Sequence, residues 1–321
     1  MSFVPYQEAE QIADRFLRLL ADRGITPPTR SAVEQEFLSL TDLLNMWRNP
    51  ERIRNLPHEA ETIRRVAGIH DLAAKVLSAG NLSEFASFED HLRMIASAKE
   101  FTSITQNTKA DARDDISRKM AELYVGCLAI HCGDQVKLDH PQRSKGNNPD
   151  VMLSYEEQAW ALAVKTLVSD RNGQTIFDNI QRAAEQIDAS SADIGMVVIN
   201  AKNIIKHDGF WNRPQPFADV AAATEALRGE LRTLIDLASQ DRPQSDWDQL
   251  FTGKAVPPVI FLGQSVTYLP VGGAFRTPTP LKAMITDACN REPHPVGARL
   301  ACCLNHWMQV VLRGLPGPPP S

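Results

Sequence analysis

Two apolar stretches joined by a polar turn, the second carrying a lysine, constrain this chain more than any other feature. The segment opens on Gly146-Asn147-Asn148-Pro149, residue types that favour turns for different backbone reasons. Asp150 to Leu153 reads as a short strand, Ser154 to Gln158 as a reverse turn, and Ala159 to Val168 as a second strand interrupted only by Lys165. An ammonium inside an apolar strand is costly unless it is partnered. Asp150 opens the preceding strand, so a hairpin brings the two charges together at one end of a sheet.

The flanking segments extend this unit. Asp114 to His131 has a helical stripe of Ile116, Met120, Leu123, Cys127, Leu128 and Ile130, and Gln135 to His140 alternates as a strand. After the turn Asp170-Arg171-Asn172-Gly173, Gln174 to Ile187 reads as a helix. Ile194 to Asn200 is a continuous apolar run, which suits a central strand covered on both faces. A strand–helix–strand crossover makes that last pairing parallel and right-handed.

Before this unit the chain reads as helices: Tyr6 to Arg23 stopped by Gly24, a second opening on the capping-box pair Ser31 and Glu34, a third from His58 to Ala79, and a fourth near Ser83 or Ser87. Their apolar stripes are core faces. Trp47 with Arg48 and Arg52 is a candidate partner contact. Periodicity lapses between Ser97 and Asp111, so the expected organisation is a helical domain over 1–110, an α/β domain over 111–313 and a disordered Pro-rich tail over 314–321. Within the second domain, Phe217 to Ser239, Leu281 to Cys289 and Val296 to Leu312 read as helices, and Pro257 to Leu269 as a strand pair around Gly263.

The formal net charge of -5 counts against a dedicated non-specific nucleic-acid binder, so any such contact must come from a local basic patch. No apolar run approaches the ~20 residues of a membrane helix. No secretory signal is visible, and five cysteines, two of them adjacent, suit reduced thiols in the cytoplasm better than a disulfide framework. Cys302, Cys303 and His306 share one helical turn, as do Cys127, His131 and Cys132; both groups read as core packing rather than metal ligands. Gly263-Gln264-Ser265 lacks the second glycine of a nucleophile elbow, and His207 beside Asp208 is a weak general-base candidate.

Pro149-Asp150 followed by Lys165, in the order helix, three strands, helix, strand, resembles the core of the PD-(D/E)xK, or restriction-endonuclease-like, nuclease superfamily. The resemblance spans Asp114 to Asn203, under a third of the chain. One position departs from the pattern: the acid two residues before the lysine is Ala163. The resemblance implies an α/β (α+β) fold with an αβββαβ core, preceded by the helical domain and followed by helical additions. It implies Mg²⁺-dependent hydrolysis of nucleic acid, DNA being the expected substrate, with Mn²⁺ as a substitute metal. Asp150 would be the central metal ligand, the Val164 carbonyl a further one, and Lys165 the group that orients water or stabilises developing charge. Glu122, on the first core helix, is the preferred replacement for the missing acid; Glu185 or Gln181 on the following helix, and Glu156 or Glu157 in the hairpin turn, are the others. The rival reading is a nuclease-fold module without catalysis that binds nucleic acid, or a protein through its N-terminal helices. Dimerisation is compatible with either.

Overall fold

A computed structural model describes residues 6–48, 59–108, 115–143, 148–168, 172–240, 242–271 and 275–310. Arg52, the turn residues 144–147 and 169–171, and the tail from Gly314 lie outside them, as do the side chains of Trp47 and Arg48.

The helices expected before the sheet are present as α1 (Tyr6–Asp22), α2 (Ala32–Arg48), α3 (Glu59–Ala79) and α4 (Glu89–Ser97). Gly24 takes a left-handed φ of 65° after α1, the conformation glycine adopts without penalty. Next come α5 (Asp115–Ala129), β1 (Asp134–Leu138), β2 (Val151–Tyr155), β3 (Gln158–Thr166), α6 (Gly173–Ala189) and β4 (Ile194–Asn200). The chain ends with α7 (Asp208–Trp211), α8 (Val220–Ser239), α9 (Gln244–Leu250), β5 (Val259–Val271), β6 (Phe275–Asp287) and α10 (Pro295–Gln309).

The strands form one six-stranded mixed sheet in the order β1-β2-β3-β4-β5-β6. The β1–β2, β2–β3 and β5–β6 pairs are antiparallel, whereas β3–β4 and β4–β5 are parallel. The parallel pairing expected of the crossover through α6 is therefore present. The hairpin turn is tighter than the sequence suggests. Tyr155 pairs with Gln158, leaving Glu156 and Glu157 as a two-residue loop with φ of 47° and 64°. Positive φ at both loop positions matches the twist of the flanking strands. Glu156 is fixed there by the Arg299 guanidinium, whose Nε donates at 2.8 Å.

Alternation along the strands assigns the two faces of the sheet. Trp160, Leu162 and Val164 of β3, with Met196 and Val198 of β4, join the core that includes α1 to α5 and α10. Ala161 and Ala163, with Val197 and Ile199, face α6 and α8 on the other side. The sheet is thus sandwiched between helical layers, which explains the unbroken apolar run of β4.

Two expectations fail in the C-terminal third. Leu281 to Cys289 is not a helix: most of it belongs to β6, where Leu281 pairs with Ser265 and Ile285 with Phe261. Gly263 is not a turn between strands but an interior position of β5. A Cβ there would come within 2.7 Å of Ile205 Cδ1 and 3.1 Å of Leu231 Cδ2, so the glycine admits close packing against α8 and the segment after β4. Among the described residues, no helix is long and apolar enough to cross a membrane.

Gly195 of β4 tests the fit between β4 and its neighbours. A Cβ there would lie 2.5 Å from the Ala161 carbonyl oxygen and 2.7 Å from Ile187 Cγ2. Backbone and a buried α6 side chain both crowd the position, so Gly195→Ala is expected to destabilise the protein by roughly 1–3 kcal/mol in denaturant unfolding.

Candidate active site where β2 begins

Strand β2 starts one residue after Asp150, and β3 runs beyond it. The last β2–β3 pair there is Val151 with Leu162, so Val164 and Lys165 lie past the end of the neighbouring strand. Asp150 Oδ2 fills part of the gap by accepting the Val164 N–H at 2.6 Å. A strand residue presents its N–H and C=O toward the same neighbour, so the Val164 carbonyl also points to this open side. The Lys165 ammonium donates to the Gln186 side-chain oxygen on α6. The two charges of the hairpin lie at the same sheet end and influence each other electrostatically, but they form no ion pair; each is held by a neutral partner.

Glu122 approaches from α5, in the opposite layer. Both its carboxylate oxygens accept from Lys119 Nζ, at 2.8 and 2.7 Å, and Oε2 lies 3.3 Å from His91 Nε2 on α4. Burial pushes the Asp150 pKa up to about 7; the Glu122 charge adds to the rise, and Lys165 and the Val164 N–H oppose it. Burial also lowers the Lys165 pKa, against the pull of Asp150 and Glu122. Two carboxylates and two ammoniums thus share one electrostatic neighbourhood.

These groups line an open cleft of about 860 Å³. Its walls are two polar stripes at helical spacing. One is Asp115, Arg118, Lys119 and Glu122 on α5; the other is Thr175, Asn179, Arg182 and Gln186 on α6. Arg118, Lys119, Lys165 and Arg182 line the cleft together with Asp115, Glu122, Asp150 and Glu185, so its charges are mixed rather than uniformly basic.

The other candidates disperse. Ala163 is fully buried against the α6 layer, so that position offers no donor. Glu185 lines the cleft but accepts from Gln181 at 3.1 Å on the exposed side of α6. Glu156 is tied to Arg299, at the opposite end of the hairpin. His207 Nδ1 meets Ser265 Oγ at 3.0 Å, but both are buried, and Asp208 turns instead to Arg64 at 2.7 Å. Cys127 lies in the core and Cys132 packs against its edge, as expected, whereas His131 and Cys303 are half-buried and Cys302 and His306 are exposed, because the buried stripe of α10 is Leu300, Ala301, Leu304 and Met308.

Lys119, His91 and Gln186 were not singled out by sequence. The signal for Lys119 and Gln186 was the two polar stripes flanking the apolar faces of α5 and α6. No local pattern marks His91, whose partner lies 31 residues away.

Among the described residues, no group of three or more His, Cys, Asp or Glu side chains is arranged to hold a metal ion. Asp150, Glu122 and the Val164 carbonyl are hard oxygen donors on the cleft, which Asp115 and Glu185 also line. That set suits Mg²⁺, which keeps several waters and takes one or two carboxylates plus substrate phosphate. No family model, curated protein or solved structure matches the chain.

The raised Asp150 pKa has a consequence for stability. Between the ordinary carboxylate value of 3.8 and about 7, the folded chain binds more protons at Asp150 than the unfolded chain. Stability therefore falls as pH rises through that window and stays lower above it. Asp150→Asn removes the penalty while keeping an acceptor for the Val164 N–H. It is expected to exceed wild type by on the order of 2–4 kcal/mol at pH 8, the gap closing toward pH ~4, in urea unfolding at both pH values.

Proposed function

We propose that this chain is a metal-dependent nuclease with a PD-(D/E)xK-like core, hydrolysing phosphodiester bonds in nucleic acid, DNA first among the candidates. One observation carries the reading: Asp150 and Glu122, from different layers, converge with Lys165 in a single open cleft edged by arginines. The order α5, β1–β3, α6, β4, with antiparallel hairpins followed by a parallel strand, supports the core assignment.

On this reading Asp150, Glu122 and the Val164 carbonyl hold Mg²⁺ or Mn²⁺. When bound, the ion supplies charge neutralisation at the phosphate and a more acidic water. Arg118 and Arg182 bind backbone phosphates on either side of the scissile bond through their forked guanidinium groups. Lys165 orients the attacking water and stabilises the negative charge that develops at phosphorus. Gln186 acts on Lys165 as a positioning residue, fixing the ammonium by its side-chain oxygen. Glu122 does the work of the acid replaced by Ala163, reaching the site from α5 instead of β3.

The test is cleavage of plasmid, single-stranded DNA and RNA by purified protein in Mg²⁺ and in Mn²⁺. Cleavage that disappears in chelator is the expected result; intact substrates throughout would count against the reading. The non-catalytic alternative draws on a specific observation, the saturation of Glu122 by Lys119 and His91.

A further inference from the structure

We infer that Lys119 is a built-in counter-ion of the cleft, which occupies Glu122 until a divalent cation displaces it. The inference rests on the metal-dependent reading above and adds a regulatory element to it. Both oxygens of Glu122 are engaged by the Lys119 ammonium, and both side chains are largely buried, at 17% and 7% exposed. A cation approaching this carboxylate therefore meets an ammonium already in its place.

Charge counting makes the two occupants competitors. Asp150 and Glu122 face Lys119 and Lys165, so the resting cluster is close to neutral when both acids are ionised. A dication added to that cluster leaves an excess of positive charge in a partly dehydrated site, where repulsion is weakly screened. Departure of the Lys119 ammonium removes one unit of the excess and frees the carboxylate oxygens in one move.

The geometry permits this move without a change of fold. Lys119 and Glu122 sit i,i+3 on α5, so their contact is made and broken by side-chain torsions alone. Lys119 also lines the open cleft beside Arg118, so its ammonium has solvent and a substrate phosphate to turn to. His91 is fully buried against Glu122 Oε2 and holds the carboxylate in place when the lysine leaves. The expected behaviour is weak cation binding by the free protein and tighter binding once a polyanion draws Lys119 away.

Binding of Mn²⁺ alone, followed by the electron paramagnetic signal of the free ion, tests this without substrate turnover. Lys119→Gln is expected to bind Mn²⁺ at least ~10-fold tighter than wild type, since one repelling charge at short range is gone. Lys119→Arg keeps the charge and should stay near wild type. Adding Glu122→Gln to Lys119→Gln should abolish the gain. If Lys119 only braced Glu122, Lys119→Gln would bind Mn²⁺ equally or less well, and that result overturns the inference. Absence of Mn²⁺ binding in every variant overturns it as well. Lys119→Met serves the same measurement should Lys119→Gln unfold. A wild type that cleaves nucleic acid in Mg²⁺ while Lys119→Gln shows unchanged Mn²⁺ affinity defeats this inference and leaves the nuclease reading intact.

Discussion

Lys165→Ala is expected to lower the cleavage rate by ~10²–10⁴-fold, the loss typical of removing a positioned charge or proton-transfer group from a transition state. The ammonium stands past the end of β2, where desolvation lowers its pKa and the Asp150 and Glu122 charges oppose that fall. Lys165 is half-buried, so the variant must be shown to retain its circular dichroism. Gln186→Ala should cost less, roughly 10–100-fold, because it loosens the ammonium without removing it. The split between the two variants separates a catalytic lysine from a structural one. A Lys165→Ala variant within about threefold of wild type would remove the lysine from the mechanism.

Asp71→Ala is expected to destabilise the protein by roughly 3–5 kcal/mol, the cost of leaving a buried charge unpaired. Asp71, on α3, accepts from Lys282 on β6, and from the Tyr124 hydroxyl on α5 at 2.9 Å. Burial alone would raise its pKa, but the Lys282 and Lys75 ammoniums hold it below the usual carboxylate value. Lys75, its own pKa drawn down to about 8 by burial, donates to the Trp307 and Val310 carbonyls, the latter at 2.7 Å. Lys282 reaches the Met308 carbonyl at 3.4 Å. The two lysines thus cap the C-terminal end of α10, where helix carbonyls lack intrahelical partners. Without Asp71 both ammoniums are uncompensated and Tyr124 loses its acceptor. Urea unfolding reads the effect as a shifted midpoint; a loss below ~1 kcal/mol would mean that the network is solvated rather than buried.

The part of the fold legible in the sequence is the part with sustained periodicity. The hairpin from Asp150 declared itself through two apolar runs and a polar turn, and β4 through seven residues without a charge. Leu281 to Cys289 did not, because a short apolar run with one lysine fits a helix as well as a strand. Only its pairing with β5, from Leu281 opposite Ser265 to Asp287 opposite Val259, decides, and in the sequence that partner strand is obscured by Gly263. Short α7 and α9 carry too few residues for a period to show.

The site was legible to the same extent. Asp150 and Lys165 could be named because a charge at an otherwise apolar strand position needs a partner, whereas Glu122 follows only from the family resemblance. Gln186 was harder to reach than Gln181 or Glu185, since the rotation of α6 decides which polar residue faces β3. That rotation is set by Ile176, Phe177, Ile180, Ala183, Ala184 and Ile187 packing on the sheet. His91 becomes visible only when α4 and α5 are placed beside each other.

The most direct test of a nuclease centred on Asp150 compares wild type with Asp150→Asn on nucleic acid in Mg²⁺, with and without chelator, at pH 8. The substitution is expected to leave the protein at least as stable as wild type, so lost activity cannot be blamed on unfolding. Cleavage by wild type that vanishes both in chelator and in Asp150→Asn is the predicted result. Cleavage retained by Asp150→Asn, or absent from wild type on every substrate, would contradict the account.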